Sequence, residues 1–285
     1  MDVICNFSPP GLGWYQSLQD FRDYTPACPR AQELLQQLSA PDGTSLPDSV
    51  DLREYFPGVQ DQLRLNSSSV HAAVALVEYF RRRALGKMVG SSRLFLYHTA
   101  RKLVRIVGDQ GVDLRSTFKA MQCFGVPPEE YWPYELEREP SVPDAFLYSF
   151  GKEYQAMMYV RLDIRNSSGS QTLNRVRAFL RAGFPVAFGF PVPSSLTADC
   201  DIPYRPAFDS IRGGQAAVCV GYDNRRLGAT RGALLLRNSW GSQWGDGGHG
   251  WLPYRYVEEQ LATDFWTLLH PDWLASGEFQ RPLLG

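Results

Sequence analysis

The sequence predicts an α+β fold of two lobes, since helical patterns fill its first half and strand patterns its second half. Over residues 66–83, apolar side chains recur at three- and four-residue steps, as they do on the buried face of a helix. Beyond residue 156, short apolar and β-branched runs alternate with turn residues, which is typical of strands. The 285 residues, 44% of them hydrophobic, are enough for one large core or two smaller ones.

Three regions are predicted along the chain. Residues 1–48 form an N-terminal extension rich in Pro, Gly and polar residues, with one short helix over 29–38 that places Leu34, Leu35 and Leu38 on one face. Residues 49–145 form a helical region around the central helix over 66–83. Residues 146–285 form a strand-rich region that ends in the C-terminal tail. We expect the extension to pack on the body of the protein.

Local signals place the other elements. Helices are predicted over 92–107 and 113–124, the second with Asp113 as its N-cap and Gly125 as its stop. Strands are predicted over 157–162, 185–192, 215–222 and 233–238, with a helix over 172–182 between the first two. A glycine-rich loop over 241–250 precedes a strand or strand-like segment over 250–257.

Charge and cysteine usage exclude several functions. The net charge of −1 gives no attraction to nucleic acid or to an anionic membrane, and the basic run 81–83 is interpreted as a solvated helix face. No run approaches the ~20 apolar residues that a transmembrane helix needs, and the N-terminus lacks the pattern of a signal peptide. The five cysteines are odd in number and widely spaced, so no zinc site, other metal or cofactor is expected. These features favour a reducing, cytoplasmic setting.

Three segments in the same order resemble the papain family of cysteine peptidases. Gln62 stands six residues before Ser68 at the predicted start of the central helix, as a Gln does before the catalytic Cys of that family. Residues 213–223 (GGQAAVCVGYD) resemble the strand that begins with the catalytic His, which places Gln215 at the His position. Residues 236–245 (LRNSWGSQWG) are similar to the family's NSWG…WG segment, with Asn238 as the residue that orients the His.

The resemblance implies a papain-like two-lobe fold, with a helical left lobe, a right lobe like an antiparallel β-barrel, and a cleft between them. In that family a thiolate at a helix N-terminus is held beside an imidazolium, and a Gln side chain stabilises the oxyanion. Here Gln62 and Asn238 are kept, but Ser68 and Gln215 replace the reactive pair. Gly111 matches the glycine that pairs with substrate backbone, and Trp240 matches the Trp that shields the Asn–His hydrogen bond.

The resulting prediction is a pseudopeptidase that binds a peptide or protein partner through the retained cleft. Two alternatives stay open: an active hydrolase or acyltransferase that uses Ser68 in a non-standard site, and an inactivated variant of a papain-like endopeptidase. Ser68 could also serve only as an N-cap, which is the favoured interpretation of its hydroxyl. His71 is expected to be a structural histidine and His249 an exposed loop residue. The sequence leaves open the ligand, the oligomeric state, and whether the extension fills the cleft. A retained oxyanion donor and cleft glycine would favour peptide binding, and a cleft filled by Arg64, Leu65 or the extension would favour a structural role.

Overall fold

The computed structural model describes residues 8–36, 46–86, 89–154, 157–227 and 232–279. Seven helices are described: α1 (Pro29–Gln36), α2 (Ser68–Leu85), α3 (Arg93–Leu103), α4 (Leu114–Phe124), α5 (Gly169–Arg181), α6 (Arg255–Glu258) and α7 (Pro271–Ala275). Short 3₁₀ helices lie at Arg53–Tyr55, Glu129–Tyr131, Leu136–Arg138 and Ala145–Tyr154. The helices of the first half therefore precede the main sheet in the chain, as the sequence predicts.

The strands of the described residues form one antiparallel sheet. They are β1 (Ser49–Asp51), β2 (Met158–Arg161), β3 (Val186–Pro193), β4 (Ile211–Asp223), β5 (Ala233–Arg237), β6 (His249–Pro253) and β7 (Thr263–Leu269). The order across the sheet is β2-β7-β3-β4-β5-β6, and β1 pairs with the far end of β4. This sheet and the helical part together form an α+β fold with a helical lobe and a sheet lobe, as the sequence predicts.

Helix α2 is the central element because it is buried on almost every side. Every residue from Ser68 to Phe80 is buried, and the helix packs on β4, β3, α3 and α4. Gly86 ends it with φ +63, a left-handed conformation that glycine adopts without strain. The main core runs from this helix into the sheet, so the N-terminus of α2 is fixed at the junction of the two lobes.

Most predicted elements are confirmed within a few residues. Helix α4 ends at Gly125 and begins after Asp113, whose carboxylate accepts a hydrogen bond from Ser116 N. The predicted strand over 250–257 is half correct, because β6 ends at Pro253 and the next four-residue helix begins at Arg255. Strand β7 is not predicted at all. The last residue of the helix predicted over 29–38, Leu38, lies outside the described residues.

The interpretation of the basic run 81–83 as a solvated face is wrong for Arg83. Its guanidinium is buried, donates to Gly183 O at 3.0 Å, and packs over the rings of Tyr55 and Phe279. Long apolar stems allow arginine to bury while its donors are satisfied. No described helix combines the length and the apolarity needed to cross a bilayer. The four described cysteines, Cys28, Cys123, Cys200 and Cys219, are free thiols.

Candidate functional site

Helix α2 begins at the residue that the resemblance places at the nucleophile position. Ser68 is fully buried, and its Oγ accepts a hydrogen bond from Ala216 N at 3.2 Å. The N-cap position belongs to Ser67, which has non-helical backbone angles, so the interpretation of Ser68 as an N-cap is wrong. The Ala216–Ser68 bond brings α2 and β4 together, and Gln215 directly precedes Ala216.

Four buried side chains next to this contact form a hydrogen-bonded group that we call the amide cluster: Gln62, Gln215, Asn238 and Ser239. Gln215 Nε2 lies 3.0 Å from Gln62 Oε1, 2.8 Å from Asn238 Oδ1 and 3.2 Å from Ser239 Oγ. Ser239 Oγ donates to Gln62 Oε1 at 2.7 Å. Three residues predicted to share a site, from three distant parts of the chain, are therefore in contact.

The amide cluster carries no group that titrates near neutral pH. Amides and hydroxyls neither gain nor lose a proton there, so Gln215 cannot act as a general base. Gln215 Oε1 and Asn238 Nδ2 are buried, and neither has a hydrogen-bond partner within the described residues. The cluster can therefore orient groups and donate hydrogen bonds, but it cannot move a proton.

No hydrogen bond within the described residues joins Ser68 to any of the four histidines. His71 Nδ1 lies 3.1 Å from Ser67 O, its ring packs edge-on against Tyr134, and burial lowers its pKa to about 3. The prediction of a structural His71 is confirmed. His249 was expected to be exposed, which is wrong: it starts β6 opposite Arg237, is half-buried, and has its pKa lowered by burial to about 4.

The remaining two histidines, His98 and His270, lie on α3 and at the start of α7. Burial lowers the pKa of both imidazoles. His270 Nδ1 accepts a hydrogen bond from Asp272 N at 3.2 Å, and His270 thereby caps α7. Within the described residues, neither imidazole shares a hydrogen bond with the amide cluster.

Residues 11–14, which we call the cleft segment, cross between the lobes beside the amide cluster. On the helical side, Gly13 O accepts a hydrogen bond from Val112 N at 3.2 Å. On the sheet side, Trp14 N donates to Gly214 O at 3.1 Å. The structure thus answers a question that the sequence left open, because part of the N-terminal extension lies in the cleft.

The cleft segment also reaches the residue that the resemblance places in the oxyanion hole. Gln62 Nε2 donates to Gly11 O at 3.0 Å and to Leu65 O at 2.8 Å. A backbone carbonyl of the protein's own extension therefore occupies one of the two hydrogen-bond donors of this amide. The side chains of Leu63 and Arg64 are exposed and do not fill the cleft. Leu63 has φ +51, a conformation in which glycine is the usual residue.

The two predicted substrate-binding residues have different surroundings. Gly111 has φ +79, and a Cβ built on it would lie 1.9 Å from Gly13 O, so it directly faces the cleft segment. Trp240 is buried, and its ring packs edge-on against Trp244 at a centroid distance of 5.1 Å. Gly111 is therefore part of the cleft wall, whereas Trp240 contributes to the packing of the sheet side.

A second set of contacts holds the extension just beyond the cleft, and sequence reasoning missed it. Ser17 donates to Asp264 from both its backbone N, at 2.8 Å, and its Oγ, at 2.5 Å. Arg161 lies 2.9 Å from Asp264, 3.0 Å from Asp163 and 3.4 Å from Asp23, and Asp23 is itself in the extension. We call Asp23, Arg161, Asp163 and Asp264 the ionic latch. Burial raises the pKa of Asp264 to about 6 and raises that of Asp163.

Comparison with known proteins agrees with this architecture. Residues 46–262 match the family model described as papain family cysteine protease, and the chain belongs to that family. The structure is similar to that of xylellain, a cysteine protease from Xylella fastidiosa, with a TM-score of 0.72 and 28% identity over 93% of this chain and 98% of that one. A digestive procathepsin L2 from Tenebrio molitor larval midgut shares the fold at a TM-score of 0.65 and 18% identity, covering 92% of this chain and 78% of that one.

Among curated proteins, an uncharacterized peptidase C1-like protein of Acanthamoeba polyphaga mimivirus is 30% identical over 185 residues. The match covers 62% of this chain and 58% of that protein, so the chain spans little more than half the length of this relative. The predicted papain resemblance is confirmed at the level of family and fold.

Proposed function

We propose that this protein is a catalytically inactive member of the papain family that acts by binding an extended peptide segment of a partner in its cleft. The observation that carries the proposal is the amide cluster, because Gln215, which the resemblance places at the position of the family's base, is a buried amide that cannot accept a proton near neutral pH. A serine hydroxyl without a base is a poor nucleophile. The Oγ of Ser68 is also buried and accepts a backbone hydrogen bond, which favours a structural role for it.

The retained oxyanion donor and cleft glycine favour a peptide-binding cleft, and we interpret the extension that fills this cleft as a replaceable occupant rather than as a structural filling. Gln215 Nε2 donates to Asn238 Oδ1 at 2.8 Å, which is the bond that an imidazole N–H would make there. Gln62 Nε2 still presents a donor to a backbone carbonyl, that of Gly11. The cleft segment pairs with both lobes through its own backbone, and backbone pairing is a general mode of peptide recognition.

The test is to restore the reactive pair in the full chain with Ser68→Cys and Gln215→His, alone and with Gly13→Ala to weaken the hold on the cleft segment. Each protein is incubated with a mixed peptide library, and cleavage is read by mass spectrometry. A matched control carries Ser69→Cys with Gln215→His, because Ser69 is also buried at the start of α2 but points about 100° away around the helix.

We expect the restored variant with Gly13→Ala to cut peptides in an iodoacetamide-sensitive way, while the Ser69→Cys control stays silent. The sequences that it cuts would then report what the native cleft holds. The proposal of a retained peptide cleft is wrong if both restored variants fold, as judged by thermal unfolding, and neither cuts nor retains any peptide. Labelling of Ser68 in the native protein by a fluorophosphonate probe would instead favour the alternative of a serine hydrolase.

A further inference from the structure

We propose that the cleft selects partner segments with the pattern glycine, apolar residue, glycine, aromatic residue, which is the pattern of residues 11–14. The proposal rests on the proposed function and adds a ligand class to it. The occupant is an extended segment of a second protein that replaces the cleft segment. The pattern follows from the narrowness of the cleft and from the residues that it contains, 11–14.

Both glycines of the cleft segment lie where a side chain would collide with backbone. A Cβ on Gly11 would lie 2.4 Å from Leu65 O, and Gly11 has φ +37, which disfavours other residues as well. A Cβ on Gly13 would lie 2.0 Å from Asn66 O. Leu65 and Asn66 lie just before Ser67, the N-cap of α2, and this helix is anchored in the core, so their carbonyls cannot easily give way.

The cleft walls also have glycine where they contact the cleft segment, and a side chain there would overlap its backbone. A Cβ on Gly111 would lie 1.9 Å from Gly13 O, and one on Gly214 would lie 2.2 Å from Trp14 O. The groove is therefore narrow enough that backbone of the wall touches backbone of the occupant on both lobes. Such a groove admits glycine at the two tight positions and excludes other L-residues by overlap.

The fourth position of the pattern has a flat seat for an aromatic ring. The Trp14 side chain is buried, and a Cβ on Gly189 would lie 1.9 Å from the Trp14 ring atom Cε2. The absence of a side chain at residue 189 in β3 thus leaves the space that the ring fills. Trp14 Nε1 has no hydrogen-bond partner within the described residues. The seat therefore recognises the ring and makes no use of the indole N–H, so we expect Phe to be tolerated.

The second position needs only an apolar side chain. Leu12 is half-buried and packs against the core. A Cβ built on Gly213 would lie 2.8 Å from Leu12 Cβ. The next two residues, Tyr15 and Gln16, are exposed, and Ser17 is held separately by Asp264. The cleft segment can therefore leave the groove while the rest of the extension stays attached at the ionic latch, and a partner segment can enter.

The experiment uses fluorescence anisotropy with a labelled peptide of residues 8–16, SPPGLGWYQ, and the full chain as receptor. The native protein is compared with Gly13→Ala, whose own segment competes less well. The matched control is Gly58→Ala, since Gly58 is exposed and has nothing within 4 Å of its Cβ position. If Gly13→Ala does not fold, Trp14→Ala replaces it as the receptor whose own segment binds the cleft less well. The peptide is also made with Gly11→Ala, Gly13→Ala, Trp14→Phe and Trp14→Ala.

We expect Gly13→Ala to bind the labelled peptide at least about tenfold more tightly than the native protein, because a tethered segment competes at millimolar effective concentration. Gly58→Ala should behave like the native protein. Either glycine substitution in the peptide should weaken binding by about tenfold or more. Trp14→Ala in the peptide should weaken it more than Trp14→Phe.

Three results would overturn the inference, and they separate it from the proposed function. If library peptides bind the opened receptors with no preference for the two glycines, the ligand class is wrong and the peptide-binding function stands. If folded receptors bind no peptide at all, both fail. If the opened receptors form dimers by light scattering, and the peptide competes with dimer formation, the occupant is the same segment of a second copy.

Discussion

The N-terminal extension is held at two neighbouring places by different physical means. In the cleft, backbone atoms of residues 11–14 form hydrogen bonds with Val112, Gly214 and the side chain of Gln62. The segment fits because two of its residues, Gly11 and Gly13, have no side chain. At the ionic latch, Ser17 and Asp23 are held by buried charges, with Arg161 placed among three carboxylates. Two exposed residues, 15 and 16, separate the two places.

The difference indicates which contact can be exchanged. Backbone pairing in the cleft can be made by any chain that fits, so it can be competed by a partner segment. If the extension came away from the ionic latch, Asp264 would lose both hydrogen bonds from Ser17 and Arg161 would lose Asp23, so breaking these buried contacts is costly. The latch therefore anchors the extension, and the cleft is the part that can open.

The largest effect on stability is expected from Arg161→Met. Removing the guanidinium leaves Asp163 and Asp264 buried without their cationic partner, which costs about 3–5 kcal/mol in cases of this kind. Urea unfolding at pH 7 measures it. A loss below about 1 kcal/mol would show that the carboxylates relax or take up protons without penalty.

The ionic latch should make stability depend on pH, and the cleft should not. Burial raises the pKa of Asp264 to about 6 from 3.8, so between these pH values the folded state keeps a proton that the unfolded state releases. The stability that Asp264 contributes therefore falls as pH rises from about 4 to about 6, by up to about 3 kcal/mol, and is constant above that. Urea unfolding from pH 4 to 7.5, with Asp264→Asn as reference, isolates this slope. A difference between the two proteins that does not change with pH would contradict the assignment.

In the cleft, Gly13→Ala should reduce the free energy of unfolding by about 1–3 kcal/mol, because the added methyl group overlaps Asn66 O. Gly58→Ala is the control and should change it by less than about 0.5 kcal/mol. Hydrogen exchange should show faster exchange at Trp14 N in Gly13→Ala, while Ser17 N stays protected. Equal loss of protection at both amides would mean that the cleft and the latch open together.

The smallest effect is expected in the amide cluster. Ser239→Ala removes the 2.7 Å bond to Gln62 Oε1 but leaves that oxygen its bond from Gln215, so the loss should be about 1 kcal/mol. Thermal unfolding at pH 5 and pH 7 should give the same difference, because no member of the cluster titrates. A pH-dependent difference would mean that the cluster is coupled to an ionisable group.

The sequence predicts the fold well where the pattern is local. Helix α4, with Asp113 before it and Gly125 after it, follows from capping rules, and the joining of Gln62, Gln215 and Asn238 follows from the family resemblance. The binding of residues 11–14 in the cleft could not be predicted. Glycine is needed at positions 11 and 13 only because the carbonyls of residues 65 and 66 lie close to them in the folded protein. The Ser17–Asp264 contact joins residues 247 positions apart with no motif at either end.

The most direct test of the central claim is to incubate the native protein and its Gly13→Ala variant with a mixed peptide library at stoichiometric protein concentration, and to analyse both the free and the retained peptides by mass spectrometry. The account predicts an uncut library, from which Gly13→Ala retains a subset of intact peptides. Cleavage products that disappear when Ser68→Ala is introduced would contradict it and establish an active serine-based site.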